Sequence, residues 1–201
     1  MRVIAGKYRS RNLQTLPGDD TRPTYDRLRE TLFNVLTSAN VLEDAIFVDL
    51  FAGTGSIGIE ALSRGASHVY FAESSRKAAQ LIRTNLESLE IREEADIFER
   101  SAVELLRFLS DSEIRPAVIF LDPPYKSQGS YGQVLRVISQ SNVLAEAGIV
   151  IAEHEKRFDP GEQEGSLKRY RKLNQGESSL SFYRMEANAR EELSPSEQML
   201  E

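Results

Sequence analysis

The sequence predicts an α/β fold in which a mostly parallel sheet is covered by helices on both faces. From residue 45 onward, short apolar segments alternate with amphipathic segments of helical period. The apolar segments are nearly continuous, as in strands that are buried on both faces. A glycine-rich segment at 48–58 has the composition of a loop that connects a strand to a helix.

The composition is typical of a globular domain of ordinary size. The chain has 201 residues, of which 40% are hydrophobic and 28% are charged, and this is enough for a sizeable core. It contains no cysteine, which excludes disulfides, thiolate metal sites and a cysteine nucleophile. Because there are only two histidines, we expect no zinc site, and no metal is predicted.

Neither a signal peptide nor a membrane span is predicted. Residues 1–7 lack an apolar stretch, and the longest apolar runs are five or six residues, far too short to cross a bilayer. We therefore expect a cytoplasmic protein.

The net charge of −6 is unevenly distributed. Residues 186–201 carry five glutamates and one arginine. Residues 1–18 have no acid and four basic side chains: Arg2, Lys7, Arg9 and Arg11. Since screening limits the reach of each charge, a basic docking surface can exist on an acidic protein.

The N-terminal segment, 1–18, predicts a small basic β-hairpin with strands at 3–5 and 12–15. Pro17 and Gly18 then interrupt regular structure. Apolar residues at helical spacing predict an amphipathic helix over 25–39, with Thr24 as its N-cap.

The rest of the chain follows the alternating pattern. Strands are predicted at 45–48, 68–72, 95–99, 117–121 and 148–153. Helices are predicted at 58–64, from residue 75, at 102–109 and at 131–140. A closing antiparallel pair is predicted at 168–173 and 180–185. The acidic tail, 187–201, predicts disorder, which leaves 19–186 as the main domain.

The glycine-rich loop contains Gly53, Gly55 and Gly58 in the pattern Gly-x-Gly-x-x-Gly. Glycine lets the backbone turn tightly and approach a ligand without a Cβ in the way. Dinucleotide sites use the same spacing. The pattern alone therefore leaves open an S-adenosylmethionine site, a dinucleotide site and a structural turn.

Two acidic residues favour S-adenosylmethionine as the ligand. Asp49 lies four residues before Gly53, where it would be near an aminoacyl ammonium, directly or through water, but would repel a pyrophosphate. Glu73 ends the next strand, eighteen residues after Gly55, where it can accept hydrogen bonds from both ribose hydroxyls. NAD offers the same hydroxyls, so Glu73 separates the two ligands poorly.

Asp122-Pro123-Pro124-Tyr125 directly follows the strand predicted at 117–121. The Asp122 carboxylate and the Pro123 carbonyl can accept hydrogen bonds from an exocyclic amine, and proline rigidity fixes their direction. Tyr125 can stack on an aromatic base and hold it in place. These four residues are the predicted catalytic group, and the alternative is a proline-rich turn.

Candidate residues follow successive strands: Asp49, Glu73, Ser101-Ala102 and Asp122. In an open α/β sheet, ligands bind outside the carboxyl ends of the strands, where the strand order reverses. We therefore expect these residues to line one edge of the sheet.

Together, the loop at 49–58 and the Asp-Pro-Pro-Tyr motif resemble class I S-adenosylmethionine-dependent methyltransferases that modify exocyclic amines. Three N-terminal segments resemble the RsmD family: Arg2-Val3-Ile4-Ala5-Gly6, Thr21-Arg22-Pro23-Thr24 and DRLRETLFN at 26–34. That family methylates N2 of guanine 966 in bacterial 16S ribosomal RNA. The resemblance covers about residues 1–185 and implies a Rossmann-like, seven-stranded methyltransferase sheet with an N-terminal β-hairpin.

The resemblance also implies how the residues divide the work. The predicted contacts to S-adenosylmethionine, which leaves as S-adenosylhomocysteine, are Asp49, Phe51, Ala52, Gly53, Gly55, Glu73, Ser101, Ala102 and Thr24. Many relatives of the wider class place an acid after the third strand to hold the adenine amine. This chain has Arg100-Ser101-Ala102 there, so adenine contacts from the backbone or the Ser101 hydroxyl are expected.

The partner implied is 16S ribosomal RNA within a 30S subunit or an assembly intermediate, bound by a monomer. The residues predicted to contact RNA are Arg2, Lys7, Arg9, Arg11, Arg22 and Arg27. Arg27 and Arg29 lie on different helix faces, so at most one faces the site. A further basic segment, 168–172, either widens the basic surface or protects an edge strand.

Three other functions stay open. An adenine-N6 methyltransferase on DNA or RNA can use the same Asp-Pro-Pro-Tyr motif, and the pocket chemistry does not separate the two bases. An NAD-dependent oxidoreductase can use the loop at 53–58. A non-catalytic RNA-binding module can keep the same fold, although intact Asp122 and Tyr125 argue against it.

Overall fold

The computed structural model describes residues 1–15, 23–124 and 127–186. The sequence-based predictions for Arg22, Tyr125, the Thr24 side chain and the tail at 187–201 therefore lie outside the described residues. Within the described ranges, no helix has the length and apolar character needed to cross a bilayer.

The described ranges form five helices and eight strands. The helices are α1 (Pro23–Ser38), α2 (Ser56–Ser63), α3 (Arg76–Ser88), α4 (Ala102–Asp111) and α5 (Gly129–Gln140). The strands are β1 (Ile46–Leu50), β2 (His68–Ala72), β3 (Ala95–Phe98), β4 (Val118–Leu121), β5 (Ile149–Glu155), β6 (Gln163–Glu164), β7 (Leu167–Gln175) and β8 (Ser178–Met185). Each helix and strand predicted from residue 25 onward is present, with bounds shifted by a few residues.

All eight strands belong to one sheet in the order β3-β2-β1-β4-β5-β8-β7-β6. Strands β1 to β5 are parallel, and β8 is antiparallel to both β5 and β7. The predicted α/β class and the closing antiparallel pair are confirmed. The sheet has one strand more than predicted because the two-residue β6 pairs with the start of β7. Strand order reverses between β1 and β4, where a ligand site is expected.

Helices cover both faces of the sheet, as predicted. Successive strand residues point to opposite faces, so Phe47 packs in a core with α1, α2 and α3, whereas Val48 packs in a second core with α4 and α5. The strands between the two cores are apolar because both of their faces are buried.

The N-terminal segment forms a much shorter hairpin than the sequence predicts. One antiparallel bridge joins Arg2 and Asn12. Beside it, the Val3 N–H donates to the Arg11 carbonyl at 3.0 Å and the Ser10 N–H donates to the Val3 carbonyl at 2.9 Å. The remaining backbone donors of the first arm bind elsewhere.

Those donors bind the Glu60 carboxylate on α2. The Ile4 and Ala5 N–H groups donate to it at 2.7 and 3.0 Å, and Glu60 is fully buried. Arg64 Nε donates to the same carboxylate at 2.7 Å. A Cβ on Gly6 would lie 1.7 Å from the Ser63 carbonyl oxygen, so only glycine allows this close approach. The hairpin is therefore held by α2 rather than by a ladder of its own.

Replacing Glu60 with alanine is expected to destabilise the protein strongly. The change leaves the Arg64 guanidinium and two backbone N–H groups without their buried acceptor, and a loss of about 3–5 kcal/mol in the free energy of unfolding follows. Urea denaturation measures this, with Glu87→Ala at an exposed position of α3 as the control. Equal unfolding free energies for the two variants would contradict the assigned role of Glu60.

Candidate functional site

A cavity of about 520 Å³ opens at the carboxyl edge of the sheet, where strand order reverses between β1 and β4. Its volume lies within the usual range for sites that bind small ligands. Its walls are formed by Phe51, Gly53, Ala72, Glu73, Ser74, Arg100, Ser101, Ala102, Val103, Asp122, Pro123, Pro124, Ser130, Gln133 and Val134.

Most of the predicted catalytic and cofactor-binding residues that the structure describes lie in this one cavity. They follow β1, β2, β3 and β4, as expected from the rule for strand ends, and they are Phe51, Gly53, Glu73, Ser101, Ala102, Asp122, Pro123 and Pro124. Asp49, Ala52 and Gly55 lie behind the cavity wall.

The three glycines of the loop have different tasks. Gly53 (φ 55°) and Gly55 (φ 75°) adopt left-handed backbone conformations, which favour glycine. No atom lies within 4 Å of the position that a Gly53 Cβ would take, so this glycine faces open space at the cavity. At Gly58, a Cβ would lie 2.3 Å from the Phe71 ring. Gly58 therefore allows α2 to pack closely on β2.

Asp49 binds the start of α2 rather than the cavity. Its Oδ2 accepts a hydrogen bond from the Gly58 N–H at 2.9 Å, and the residue is 2% exposed. Burial, together with the nearby carboxylates Asp122 and Glu73, raises the pKa of the Asp49 carboxyl to about 7, although the hydrogen bond from Gly58 lowers it. Asp49 therefore positions the glycine loop.

Glu73 lies in the cavity wall and holds the loop from the other side. Its two carboxylate oxygens accept hydrogen bonds from the Gly53 N–H at 2.9 Å and the Ser75 N–H at 2.7 Å. A carboxylate has about four lone-pair positions, so both oxygens can still accept a hydrogen bond from a ligand hydroxyl.

Asp122 and Glu153 form an acidic pair on neighbouring strands. The register pairs Leu121 of β4 with Ala152 of β5, which places the two acids side by side. Burial raises the pKa of Asp122 to about 7. Burial and the Asp122 charge raise the pKa of Glu153 well above its ordinary value. Burial therefore favours the protonated form of both acids.

Tyr25, at the start of α1, faces these acids. Its hydroxyl hydrogen-bonds the Ser56 side chain, and burial together with the charges of Glu153 and Asp122 raises its pKa. Sequence patterning did not identify Tyr25 or Glu153, because neither belongs to the glycine loop or to the Asp-Pro-Pro-Tyr motif.

Helix α5 supplies a wall of the cavity that the sequence did not predict. Ser130, Gln133 and Val134 line the cavity, and the intervening Tyr131 donates its hydroxyl to the Glu153 carbonyl at 2.6 Å. That hydrogen bond fixes α5 beside the end of β5. Nothing in the local sequence shows that this helix lies over the cavity.

Ser101 lines the cavity, and its hydroxyl also caps α4. It accepts a hydrogen bond from the Glu104 N–H at 3.3 Å, and the Glu104 carboxylate accepts one in return from the Ser101 N–H at 3.1 Å, which is a capping box. Arg100, which precedes it, also lines the cavity. Arg100 was detectable from the sequence, since it directly follows the third predicted strand.

The two arginines of α1 have different surroundings. Arg27 is exposed. Arg29 is 2% exposed, and its Nη2 donates to the Arg2 carbonyl at 2.6 Å and to Asp26 at 3.2 Å. The ion pair joins a buried guanidinium to the carboxylate of Asp26, whose side chain is 39% exposed. The Nε and Nη1 atoms of Arg29 have no hydrogen-bond partner among the described residues.

The cations of the hairpin lie away from the cavity. Lys7 donates its N–H to the Ser63 carbonyl at the end of α2, and Arg11 Nη2 donates to the Ser88 carbonyl at the end of α3. Both helices run from the carboxyl edge of the sheet toward the opposite edge. The contacts of Lys7 and Arg11 are therefore at the ends of α2 and α3 that lie away from the carboxyl edge of the sheet.

His154 has structural contacts. Its Nδ1 lies 2.8 Å from the Glu155 carbonyl oxygen and its Nε2 lies 2.9 Å from Ser181 Oγ. Over the described ranges, His, Asp and Glu side chains form no group of three or more that could hold a metal ion.

Comparisons with known proteins agree with this geometry. The family model described as "Conserved hypothetical protein 95" matches residues 1–184. A Bacillus subtilis protein named "Putative rRNA methyltransferase YlbH" is 36% identical over 184 residues, which cover 92% of this chain and 98% of that protein. "Ribosomal RNA small subunit methyltransferase D" of Haemophilus influenzae is 36% identical over 159 residues, 78% of this chain and 79% of that protein. Among solved structures, "Putative methyltransferase yhhF" from Escherichia coli has a TM-score of 0.76 at 28% identity, covering 93% of this chain and 98% of that chain.

Replacing Gly58 with alanine is expected to destabilise the fold by about 1–3 kcal/mol, because the new methyl group overlaps the Phe71 ring, which is fully buried. Gly132→Ala is the matched control, since no atom lies within 4 Å of a Cβ there. Alanine in this helical position should stabilise by up to about 1 kcal/mol. Thermal and urea unfolding of both variants measure the difference, and a stabilised Gly58→Ala protein would refute the packing role.

The stability of the ligand-free protein is expected to fall as pH rises from about 4 to about 7. Over this range the unfolded state has ionised carboxylates, whereas the folded state keeps protons on Asp49 and Asp122, whose pKa values are raised to about 7. Unfolding then releases protons, and each group contributes a slope of at most about 1.4 kcal/mol per pH unit.

Asp49→Asn tests this pH dependence. The amide oxygen can still accept the Gly58 N–H, but one ionisation is removed, so the stability of this variant should fall less steeply between about pH 4 and 7. Urea unfolding at several pH values gives the slope, with Asp111→Asn at an exposed position as the control. Parallel curves for the wild type and Asp49→Asn would refute the raised pKa.

Proposed function

The chain belongs to the RsmD family, and we propose that it transfers a methyl group from S-adenosylmethionine to the exocyclic N2 amine of a guanine in 16S ribosomal RNA. The observation that carries the proposal is the meeting of two motifs in one cavity. The glycine loop and Glu73 line one side of it, and Asp122-Pro123-Pro124 lines the other. Family membership rests on the match over residues 1–184.

The residues of the cavity fit S-adenosylmethionine. Gly53 leaves open space at the wall, Glu73 retains acceptor capacity for ribose hydroxyls, and buried carboxylates favour a cationic ligand. When bound there, S-adenosylmethionine supplies a methyl group that its sulfonium has already activated. We assign Phe51, Gly53, Glu73, Ser101 and Ala102 to its binding, with Asp49, Ala52 and Gly55 supporting the loop and Thr24 as a further contact.

The same electrostatics argue against a dinucleotide. The cavity is lined by Asp122 and Glu73 and has one arginine, Arg100, in its wall. A pyrophosphate would be repelled by the carboxylates, whereas a sulfonium and an ammonium would be attracted. This charge arrangement favours methyl transfer over an NAD-dependent oxidoreductase.

The chain activates the acceptor amine through geometry and hydrogen bonding. An amine on an aromatic base is a poor nucleophile because its lone pair is delocalised into the ring. The Asp122 carboxylate and the Pro123 carbonyl accept hydrogen bonds from the amine, which lets its nitrogen pyramidalise toward the methyl group. The new N–C bond forms as the C–S bond breaks, and the amine proton passes to Asp122 or solvent. No covalent adduct with the protein is needed, and positioning supplies most of the rate.

The base must leave its stack to reach this cavity. We assign Tyr125 to stacking on the flipped base, and Pro124 with Pro123 to keeping the carboxylate aligned. An adenine N6 amine can be held in the same way. Guanine is proposed because of the family, whose relative in Haemophilus influenzae is named a small-subunit ribosomal RNA methyltransferase.

Recognition of RNA extends beyond the cavity in this proposal. The hairpin, 1–18, is proposed to dock on RNA phosphates from the opposite edge of the sheet while the main domain, 19–186, performs the chemistry. The assigned cations are Arg2, Lys7, Arg9, Arg11, Arg22 and Arg27. The proposed substrate is the 30S subunit or an assembly intermediate in the cytoplasm, bound by one copy of the protein.

Asp122→Asn is expected to lower the methylation rate about a hundredfold, because the carboxylate acceptor is replaced by an amide that also presents donors. The substrate is 30S subunits from cells that lack the protein, and incorporation of labelled methyl groups is measured. S-adenosylhomocysteine affinity by calorimetry should stay within a few-fold. Asp111→Asn serves as the control, and full activity of Asp122→Asn would remove Asp122 from the mechanism.

The pH dependence gives a second readout of the same group. Since burial raises the pKa of Asp122 to about 7, the carboxylate is lost as pH falls, and kcat/KM should decline below about pH 7. Mapping the modified nucleotide decides the base: N2-methylguanine supports the proposal, N6-methyladenine replaces it, and no methylated nucleotide rejects it.

A further inference from the structure

Two exposed arginines and a tyrosine form a cluster on β7 and β8, on the sheet face that α1 covers elsewhere. Tyr170 is 46% exposed, and the Arg184 guanidinium carbon lies 4.7 Å from its ring centroid. The Arg171 guanidinium carbon lies 6.0 Å from the ring centroid of Phe182, whose ring is 6.3 Å from that of Tyr170. The arginines therefore interact with rings rather than with carboxylates.

The neighbouring cations on β7, in contrast, form ion pairs with carboxylates. Lys168 pairs with Glu186 at 2.7 Å, and Arg169 pairs with Asp159 at 2.6 Å. Lys172 pairs with the same aspartate at 3.0 Å.

Within the described ranges, Arg171 and Arg184 have no ion pair. Protection of an edge strand by charge explains exposed cations, but it does not explain an exposed tyrosine with a guanidinium over its ring.

The cluster lies in the same row of the sheet as Phe120 of β4. The register runs from Phe120 of β4 through Ile151 and Phe182 to Arg171 of β7. Three strand spacings separate the ends of this row, which is about 14 Å. Phe120 lies two residues before Asp122. The cluster therefore lies close enough to the catalytic motif for one bound RNA to contact both.

We propose that Tyr170, Arg171 and Arg184 form a second RNA-contact site, which binds the strand flanking the methylated nucleotide. An exposed tyrosine offers a surface on which a base can stack. A guanidinium that lies over a ring, without a carboxylate partner, has N–H groups that can bind phosphate oxygens. The inference rests on the proposed function, since it takes the substrate to be RNA.

The experiment uses the full-length protein and 16S ribosomal RNA from cells that lack it. The double variant Arg171→Gln/Arg184→Gln is compared with Arg92→Gln/Arg107→Gln, which removes the same charge from exposed positions elsewhere. Filter binding at several salt concentrations gives Kd. We expect Kd to rise about tenfold for the first variant, and the salt dependence to fall by about 1.4 for two lost phosphate contacts. The control variant should bind like the wild type.

Tyr170→Leu keeps an apolar contact with Phe182 but removes the stacking surface. We expect Kd to rise roughly tenfold with an unchanged salt slope. For both variants, S-adenosylhomocysteine affinity and thermal unfolding are expected to match the wild type, since the cluster lies outside the cavity. If the double variant unfolds at a lower temperature than the wild type, the RNA affinities of the single arginine variants and of Tyr170→Leu are compared instead.

The outcomes separate the two proposals. Wild-type affinity in the cluster variants, or an equal loss in the control variant, would overturn the second contact site while methyl transfer stands. If the wild type binds RNA but methylates none, the proposed function fails, and the binding of the variants still decides the contact site. If the wild type binds neither 16S RNA nor 30S subunits, both are rejected.

Discussion

The hydrogen bond from the Gly58 N–H to the buried Asp49 carboxylate fixes the start of α2, and the site depends on it. It closes a loop whose backbone has positive φ at Phe51, Gly53 and Gly55. Such a loop keeps its shape only when its surroundings hold it. Glu60, farther along α2, holds the N-terminal hairpin through buried hydrogen bonds. One short helix therefore joins the cavity to the hairpin.

The electrostatics of the cavity follow from the way the strands end. Asp49, Asp122 and Glu153 come from three neighbouring strands, and burial raises the pKa of each. Grouped acids without a cation are unfavourable when ionised. A ligand that carries positive charge relieves this cost, so the ligand-free site is prepared for a sulfonium and an ammonium. The same acids also suit the neutral amine to which the methyl group is transferred, because their oxygens can accept hydrogen bonds from that amine.

Because the cavity is acidic, a large anionic partner must be bound by surfaces outside it. The basic hairpin lies at the opposite edge of the sheet, and the Tyr170 cluster lies about 14 Å along the sheet from the catalytic strand. In the proposal, a small domain with net charge −6 binds RNA through these two separate regions. The cavity then contacts only the flipped base. Because RNA binding and the reaction take place on separate surfaces, the cavity can contain acids that do not repel the phosphate backbone of the substrate.

The sequence by itself determined the order of strands and helices and the residues at the strand ends, because both leave local patterns. Periodicity gave the elements, and strand-end position placed Glu73 and Asp122 at one edge. Only the tertiary structure decided what depends on packing between distant segments. The structure shows that Asp49 binds the Gly58 N–H rather than lining the cavity. It also shows that α5 forms a wall of the cavity and that Glu153 lies beside Asp122. It also showed that the Ile4 and Ala5 donors bind α2, since no local pattern records which helix will accept them.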